Sequence, residues 1–397
     1  MKILFFDPYN IQNIPYCLVS FLRKKGIDAE LLFDVNAEIK GGDLPNANDP
    51  LLRSKADYSF WIHQKVISSS ILKNPFSLIE IINFLKGYEL IVCSGFAPIF
   101  AYWAKKPFIF LSYGSDLDQL ATQGWSGDPK RYLNYKRRLL SFFIKHSLRA
   151  ALKKASFVLI LPHQIETAKR LGLKRLRCYQ HIMDTTIFKP MEGLERKREK
   201  ERIKKDLDCS LLIFHPTRQC WKDKDIKDCK DNDKLFKAFA RFLVSTKTNA
   251  KLIAIEKGWD LEESKRLVEG LGIGENVIWM APMERFKLGF YYNVADIVAD
   301  QFNVGAFGIA TVESMACGTP VFAYFNPEYK DFFYGGLPPV VNTKTEDDIF
   351  LKLCELATDE KLRVRIGKDS YDWIIKYTDW EVACNRYIEL FKEALSK

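Results

Sequence analysis

The chain has 397 residues, of which 47% are apolar, 14% aromatic and 28% charged; this excludes a peptide-sized module or a disordered chain and allows two to three domains of about 150 residues each. Sixty Lys and Arg stand against fifty Asp and Glu, and the net +10 is uneven: residues 1–190 carry 27 basic and 15 acidic residues, residues 191–397 carry 33 and 35. The front half is therefore expected to face an anionic surface, acceptor or polymer, or else simply to be solvated.

The first residues, MKILFFDPYN, read as a buried strand running into a turn, without the long apolar core or cleavage site of a signal peptide. After KILFFD come the helical IPYCLVSFLRKKG and the strand AELLFD, then the buried strands YELIVCSG, PFIFLSYG and SFVLILP, the pattern of a parallel sheet covered by helices. The pattern restarts with LLIFHPTR, the helix DKLFKAFARFLVST, the strand AKLIAIEKG, the helix LEESKRLVEGLG, the strand NVIWMAP and then ADIVADQF. Between the two series lies EGLERKREKERIKKDLD, charged nearly throughout, which reads as an interdomain segment or an exposed helix. The fold class is α/β with two Rossmann-like domains. The expected division is 1–190, a charged interdomain segment at 191–207, 208–375, and a final helix at 376–397 returning to the first domain.

Nine cysteines, an odd number with no C-x-x-C spacing, point to a reducing compartment and give no metal site. No apolar run reaches the eighteen or so residues of a membrane helix, so a cytoplasmic protein is expected, free or at the inner face of the membrane.

The most distinctive stretch is FGIATVESMACGTPVF, residues 307–322. Phe307 and Gly308 lead into a helix whose N-terminus offers backbone N–H groups and the positive end of the helix dipole, a site suited to a diphosphate. Glu313 follows within the helix, and Ala316, Cys317 and Gly318 close it before Thr319 and Pro320 start the next strand. Gly-entered, Gly-x-Pro-terminated helices also serve purely structural ends.

These residues resemble the retaining GT-B glycosyltransferases, the glycogen-synthase-like group 1 family that uses nucleotide sugars. The family signature E-x-F-G-x-x-x-x-E-A-M-A-C-G-x-P-V is matched by Phe307, Gly308, Glu313, Met315, Ala316, Cys317, Gly318, Pro320 and Val321, and MDTTIFKP at 183–190 resembles its G-V-D-x-x-x-F-x-P. The resemblance implies two domains facing across a cleft and hexosyl transfer from a nucleotide-diphosphate sugar to a saccharide or lipid-linked acceptor, in polysaccharide or glycoconjugate synthesis. It implies retention of anomeric configuration, no cofactor and no bound metal. Glu313 would accept from the donor ribose hydroxyls, and backbone amides near Phe307, Gly308 and Ile309 would hold the sugar and diphosphate. Arg218 and Lys230 would neutralise the leaving diphosphate. Lys230 opens KDNDKLFKAF, similar to the family's K-G-x-D-x-L-I-x-A-F, but the inserted WKDKDIKDC leaves Lys222, Lys224 and Lys227 as alternatives.

One departure stands out: the family's first glutamate, eight residues before the second, aligns with Gly305. Backbone groups of the loop would then do the holding, or the protein would bind a nucleotide sugar without transferring it, as a partner subunit. A nucleotide-sugar epimerase on a similar scaffold is the other alternative. In the first domain YGSDL at 113–117 resembles the family's H-G-x-D loop, with Tyr113 in place of His, and Asp116 either orients a hydroxyl or caps a helix. His163 and His181 lie on loops expected at the cleft, with no carboxylate partner evident for either. Glu256 and Lys257, and Met280, Ala281 and Pro282, end successive strands and are expected to present main-chain groups to the base; Trp259 is expected to be packed.

Residues 130–154 carry nine Lys or Arg and no acid, with apolar residues spaced along a helix. Such a helix can lie on anionic lipid headgroups or cover a sheet with a basic outer face. No nucleic-acid reader motif accompanies the charge.

Overall fold

The computed structural model describes residues 1–8, 14–34, 60–67, 75–123, 135–179, 181–223 and 229–396. The chain forms two compact units, Met1–Ile182 with Trp380–Lys397, and Met183–Asp379.

The first unit is built on the strands β1 (Lys2–Phe6), β2 (Asp28–Asp34), β3 (Ile62–Lys65), β4 (Leu90–Cys93), β5 (Phe108–Leu111), β6 (Phe157–Ile160) and β7 (Leu176–Cys178); all but the outermost two, β3 and β7, are buried nearly throughout, as strands covered on both faces must be. They pair in parallel in the order β3-β2-β1-β4-β5-β6-β7. The order reverses between β1 and β4, and in such sheets ligands bind beyond the strand carboxyl ends at that point. The helix Ile14–Lys24 buries Leu18, Val19 and Leu22 in a core that also takes Phe5, Leu31, Val92 and Leu111. The final helix, Trp380–Leu395, belongs to this unit: Trp380 stacks on Phe21 at 4.8 Å, and Phe391 meets Phe5 edge to face at 6.2 Å.

The second unit repeats the plan with β8 (Leu211–His215), β9 (Ala250–Ile255), β10 (Val277–Met280), β11 (Ile297–Ala299), β12 (Val321–Ala323) and β13 (Val341–Asn342). They are parallel in the order β10-β9-β8-β11-β12-β13, with the reversal between β8 and β11. The two ends of this unit are tied together: the Met183 amide donates to the Thr378 carbonyl at 2.9 Å, and the Thr185 hydroxyl donates to Asp379 at 2.5 Å.

The charged segment expected between the domains is instead the helix Gly193–Asp206 of the second unit. None of its residues is buried, so packing of an apolar face does not hold it. Its cations do. Arg196 donates to the carbonyls of Asn293 and Gly318 and to the Thr319 hydroxyl, while Lys200 and Lys204 lie 2.8 and 2.7 Å from the fully buried carboxylate of Asp296. Asp296 also accepts the Leu212 amide, tying the start of β8 to that of β11.

Burial alone would raise the Asp296 pKa, but Lys200 and Lys204 overcome it and hold the carboxyl below the ordinary 3.8. The group therefore contributes stability above that value and loses it as pH falls through the depressed folded value. Asp296→Ala leaves two half-buried ammonium groups without their counter-ion, and denaturant unfolding at pH 7 should show a loss of about 3 kcal/mol or more. The gap from wild type should narrow as pH falls below 3.8; a variant as stable as wild type at pH 7 would show that the helix is held by something else.

Candidate functional site

In the second unit the residues after β8 and β11 converge on one buried carboxylate. Asp300, 2% exposed, follows β11. Its Oδ1 accepts the Thr217 hydroxyl at 2.8 Å, and its Oδ2 accepts the Thr311 amide at 3.1 Å and the Thr311 hydroxyl at 2.6 Å. Thr217 adjoins Arg218, and Thr311 lies in the first turn of the helix Ile309–Ala316. The carboxylate thus joins the Arg218 loop to the helix start, and a Cβ at Gly308 would lie only 2.0 Å from Oδ2. Sequence reasoning missed Asp300. It also changes the expected anion site: the Thr311 amide is already taken, so the amides left to meet a ligand begin at Gly308, Ile309 and Ala310.

Behind this point His215, fully buried at the end of β8, joins its Nδ1 to the Ala299 carbonyl at 2.8 Å and its Nε2 to the side-chain amide of Asn232 at 2.7 Å. Nε2 accepts from that amide, so the ring is the neutral Nδ1–H tautomer, and burial pushes its pKa down. Asn232 Oδ1 in turn accepts the Cys220 amide at 2.8 Å. Lys230 is placed by its main chain, donating from N to Cys220 at 2.7 Å and accepting at O from Phe302 at 3.0 Å. It is thereby held between the Arg218 loop and the loop after β11. Asp231, where the family pattern has Gly, adopts φ +54°, the left-handed conformation that a glycine there provides without strain. Lys222 lies exposed, 3.4 Å from Glu263; Lys224 and Lys227 lie outside the described residues.

Glu313 is 5% exposed and accepts the hydroxyl of fully buried Tyr292 at 2.8 Å. Burial pushes its pKa up to about 7, against the opposing pull of Arg285 and the Tyr292 hydrogen bond and with added repulsion from Asp300. Phe188 of MDTTIFKP is buried beside Tyr292, ring centroids 6.0 Å apart, and the Arg285 guanidinium lies over it at 5.1 Å. That stretch, expected only to end the first domain, thus supports the residues around Glu313.

Gly305 has φ +73°, and a Cβ there would come within 3.2 Å of Asn326 and 3.3 Å of Tyr324. A glutamate at this position would be strained by the left-handed backbone, and Asn326 and Tyr324 would have to give way by a few tenths of an ångström. Buried Gln301 shapes the loop, accepting the amides of Asn303 and Val304 and donating to the carbonyls of Ala306 and Tyr324. The Phe307 ring is core, against Phe325, Phe333 and Trp373, leaving its main chain for the site.

The loop after β9 meets the Arg218 loop directly, as the Gln219 amide donates to the Lys257 carbonyl at 2.6 Å. Trp259 is not packed as expected. It is 67% exposed, with the Arg218 guanidinium 5.2 Å from its ring centroid. Glu256 is ion-paired with Lys265 at 2.7 Å, and its amide donates to the Met280 carbonyl at 2.8 Å. Met280 ends the edge strand β10 and Ala281 and Pro282 are exposed beyond it, two strands removed from β8.

In the first unit Tyr113 follows β5. Its ring meets Tyr179 edge to face at 5.9 Å, its hydroxyl is buried without a hydrogen-bond partner among the described residues, and burial drives its pKa well up. With Asp7 and Ser94 it lines a small crevice at the carboxyl ends of β1, β4 and β5. Asp116 turns inward: Oδ1 accepts the Ser112 hydroxyl at 2.6 Å and the Leu117 amide at 2.9 Å, and Oδ2 the Gly95 amide at 3.3 Å. It thus ties two strand ends and a π-helical turn, Asp116–Leu120, while burial raises its pKa to about 6. His163, for which no carboxylate was evident, lies 3.9 Å from buried Asp118. His181 meets Tyr179 edge to face at 4.8 Å.

Residues 224–373 match the family described as "Glycosyl transferases group 1". The D-inositol 3-phosphate glycosyltransferase of Corynebacterium jeikeium (strain K411) is 32% identical over 139 residues, 34% of this chain and 32% of that protein. That of Acidothermus cellulolyticus (strain ATCC 43068 / DSM 8971 / 11B) is 26% identical over 157 residues, 38% of this chain and 33% of that protein. The matches thus span about a third of the relatives' length. Among solved structures, Anabaena Alr3699/HepE in complex with UDP aligns with TM-score 0.67 and 14% identity, covering 99% of this chain and 100% of that one. Sucrose-phosphate synthase (tll1590) from Thermosynechococcus elongatus aligns with TM-score 0.67 and 14% identity, covering 100% of both chains. These likenesses establish the two-domain Rossmann-like architecture.

Because the folded Glu313 pKa lies above the ordinary 4.5, its contribution to stability is complete below that value and is lost as pH rises through about 7. Between pH 4.5 and 8 wild type should lose about 3 kcal/mol relative to Glu313→Gln, measured by denaturant unfolding of both across that range. Parallel pH profiles would place the glutamate's proton elsewhere.

Proposed function

We propose that this chain, which carries a group 1 glycosyltransferase domain over residues 224–373, transfers a hexosyl group from a nucleotide-diphosphate sugar to a hydroxyl of a saccharide or lipid-linked acceptor. The observation that supports this reading is that the loop of Arg218, the main chain of Lys230 and the helix that carries the 308–310 amides and Glu313 are joined at the β8/β11 end of the second sheet, through Asp300 and Phe302. The relatives that match the chain are named as glycosyltransferases, and one structural neighbour was solved with UDP.

In this mechanism the bond from the sugar's anomeric carbon to the diphosphate breaks, a bond to the acceptor oxygen forms on the same face, and the acceptor proton passes to the departing diphosphate. Arg218 and Lys230 stabilise the charge that grows on that group, which is the largest single demand of the step. Ionised Glu313 accepts from the ribose hydroxyls, and main-chain groups of the 305–309 loop hold the sugar in place of the carboxylate that Gly305 lacks. Arg218 and Lys230 supply positive charge themselves, so the reading invokes no metal and no cofactor. Tyr113, beside the crevice of the first unit, is the acceptor-side candidate; Asp116 acts through the loop it organises.

The test is incubation of the purified protein with a panel of nucleotide sugars and acceptors, with release of the nucleoside diphosphate measured. Turnover should appear with one donor, and Arg218→Ala and Lys230→Ala should each reduce kcat about 100-fold or more, while His163→Ala changes little. Gly305 supports the rival reading of a non-catalytic subunit, whose signature is tight binding of a nucleotide sugar without turnover on any acceptor. Unchanged turnover in both cation variants would refute the donor assignment.

We place the acceptor side at an anionic membrane face. In the helix Tyr135–Leu152 the inward residues Ser141, Ile144, Leu148 and Ala151 are buried, yet Leu139, Phe142 and Phe143 on the outer side are 51%, 63% and 47% exposed. A helix apolar on two sides exceeds what sheet coverage requires. Arg149 is not among the lipid-facing cations, because its guanidinium donates to the carbonyls of Ala121 and Thr122. Residues 130–134 lie outside the described residues, and no described helix is long and apolar enough to cross a membrane. The protein should sediment with phosphatidylglycerol vesicles and not with phosphatidylcholine vesicles, and Phe142→Ser with Phe143→Ser should weaken binding at least tenfold; equal sedimentation of the double variant would remove the helix from the contact.

A further inference from the structure

Resting on the donor reading above and deepening it, we infer that Trp259 is a positioning residue for Arg218, its indole face holding the guanidinium in the orientation in which it meets the diphosphate. The Arg218 guanidinium lies 5.2 Å from the indole centroid, within cation–π range, although the indole itself is 67% exposed and contributes little to a core.

The main chains that carry the two side chains are fastened to each other. Gln219 donates from N to the Lys257 carbonyl at 2.6 Å and accepts at O from the Asp260 amide at 3.2 Å. Between them Gly258, at φ +123°, brings its Cα so close that a Cβ would lie 2.2 Å from the Gln219 carbonyl oxygen and 2.4 Å from its nitrogen. The Asp260 carboxylate accepts the amides of Trp221 and Lys222 at 2.7 and 3.0 Å, and Ser264 bridges the Trp221 indole N–H and Gln219 Oε1. Arg218 and Trp259 therefore sit on two stretches of backbone fixed in one register, across which their side chains meet.

An indole face attracts the cation through its quadrupole and brings no negative charge of its own to the place where the leaving diphosphate would lie. Because charge on the diphosphate grows in the transition state, misorientation of Arg218 should cost more in kcat than in donor KM.

The test compares the full-length chain with Trp259→Phe, Trp259→Tyr, Trp259→Leu, Arg218→Ala and the Arg218→Ala/Trp259→Leu double variant, using the donor that turns over best in the panel, with UDP binding by calorimetry as a second readout. The aromatic variants should stay within about twofold of wild type, and Trp259→Leu should lose about three- to tenfold in kcat with a smaller change in KM. In the Arg218→Ala background Trp259→Leu should cost nothing further. Wild-type behaviour of Trp259→Leu, aromatic variants as impaired as the leucine one, or a full additional loss in the double variant would each overturn the inference while leaving the donor reading in place. Unimpaired Arg218→Ala would overturn the donor reading and the inference with it.

Discussion

The second unit depends on a buried carboxylate, Asp300, that has no counter-ion within hydrogen-bonding distance among the described residues. Asp300 is held by two hydroxyls and one amide, supplied by Thr217 and Thr311. A buried anion is tolerated when hydrogen bonds and a helix dipole oppose its desolvation, and here the helix is Ile309–Ala316. Because the donors come from the loop after β8 and from that helix, satisfying Asp300 fixes the distance between them. Arg218 and Glu313, carried on these two elements, therefore share one frame. The cost is that part of the helix N-terminus is already used by an internal carboxylate, which takes the Thr311 amide; in the donor reading proposed above, that leaves more of the diphosphate stabilisation to Arg218 and Lys230.

The strands were legible from their apolar runs because parallel strands buried on both sides have no polar face to interrupt them, and β1, β4, β5, β6, β8 and β9 all lie within the expected stretches. What the pattern could not show is how polar groups pair across long stretches of sequence. The segment 191–207 has no apolar stripe, so periodicity separates it from both domains; only the convergence of Lys200 and Lys204 on Asp296, about ninety residues away in the chain, makes it a helix of the second unit. Asp300 was hidden in the same way, as an acid within an otherwise strand-like run, and Gln301 beside it was equally silent. Trp259 was misjudged because aromatic size argues for burial, whereas the partner that retains it in an exposed position is a guanidinium.

The missing glutamate at 305 is explained by local geometry rather than by the charge of the site. The backbone there is left-handed, and a side chain would crowd Asn326 and Tyr324. Asn326 also donates its amide to the Gly305 carbonyl, so a residue that would crowd a side chain also fixes the main chain. The loop has a main chain braced by Gln301 in place of a carboxylate. In the donor reading proposed above, such a surface would present amides and carbonyls to sugar hydroxyls without adding negative charge.

Glu313 completes the logic of the site. A carboxyl with a pKa near 7 is divided between its two forms at neutral pH, and the two forms offer different hydrogen bonding: the ionised group only accepts, the protonated one also donates. The Tyr292 hydroxyl donates to Oε2 and so favours the ionised form, as does Arg285, while burial and Asp300 oppose it. In the donor reading proposed above, ribose hydroxyls donating to Glu313 would add their weight to the same side as Tyr292, so binding would draw a proton out of the site, and the groups that already hold Glu313 would set how much of the binding free energy is spent on releasing it.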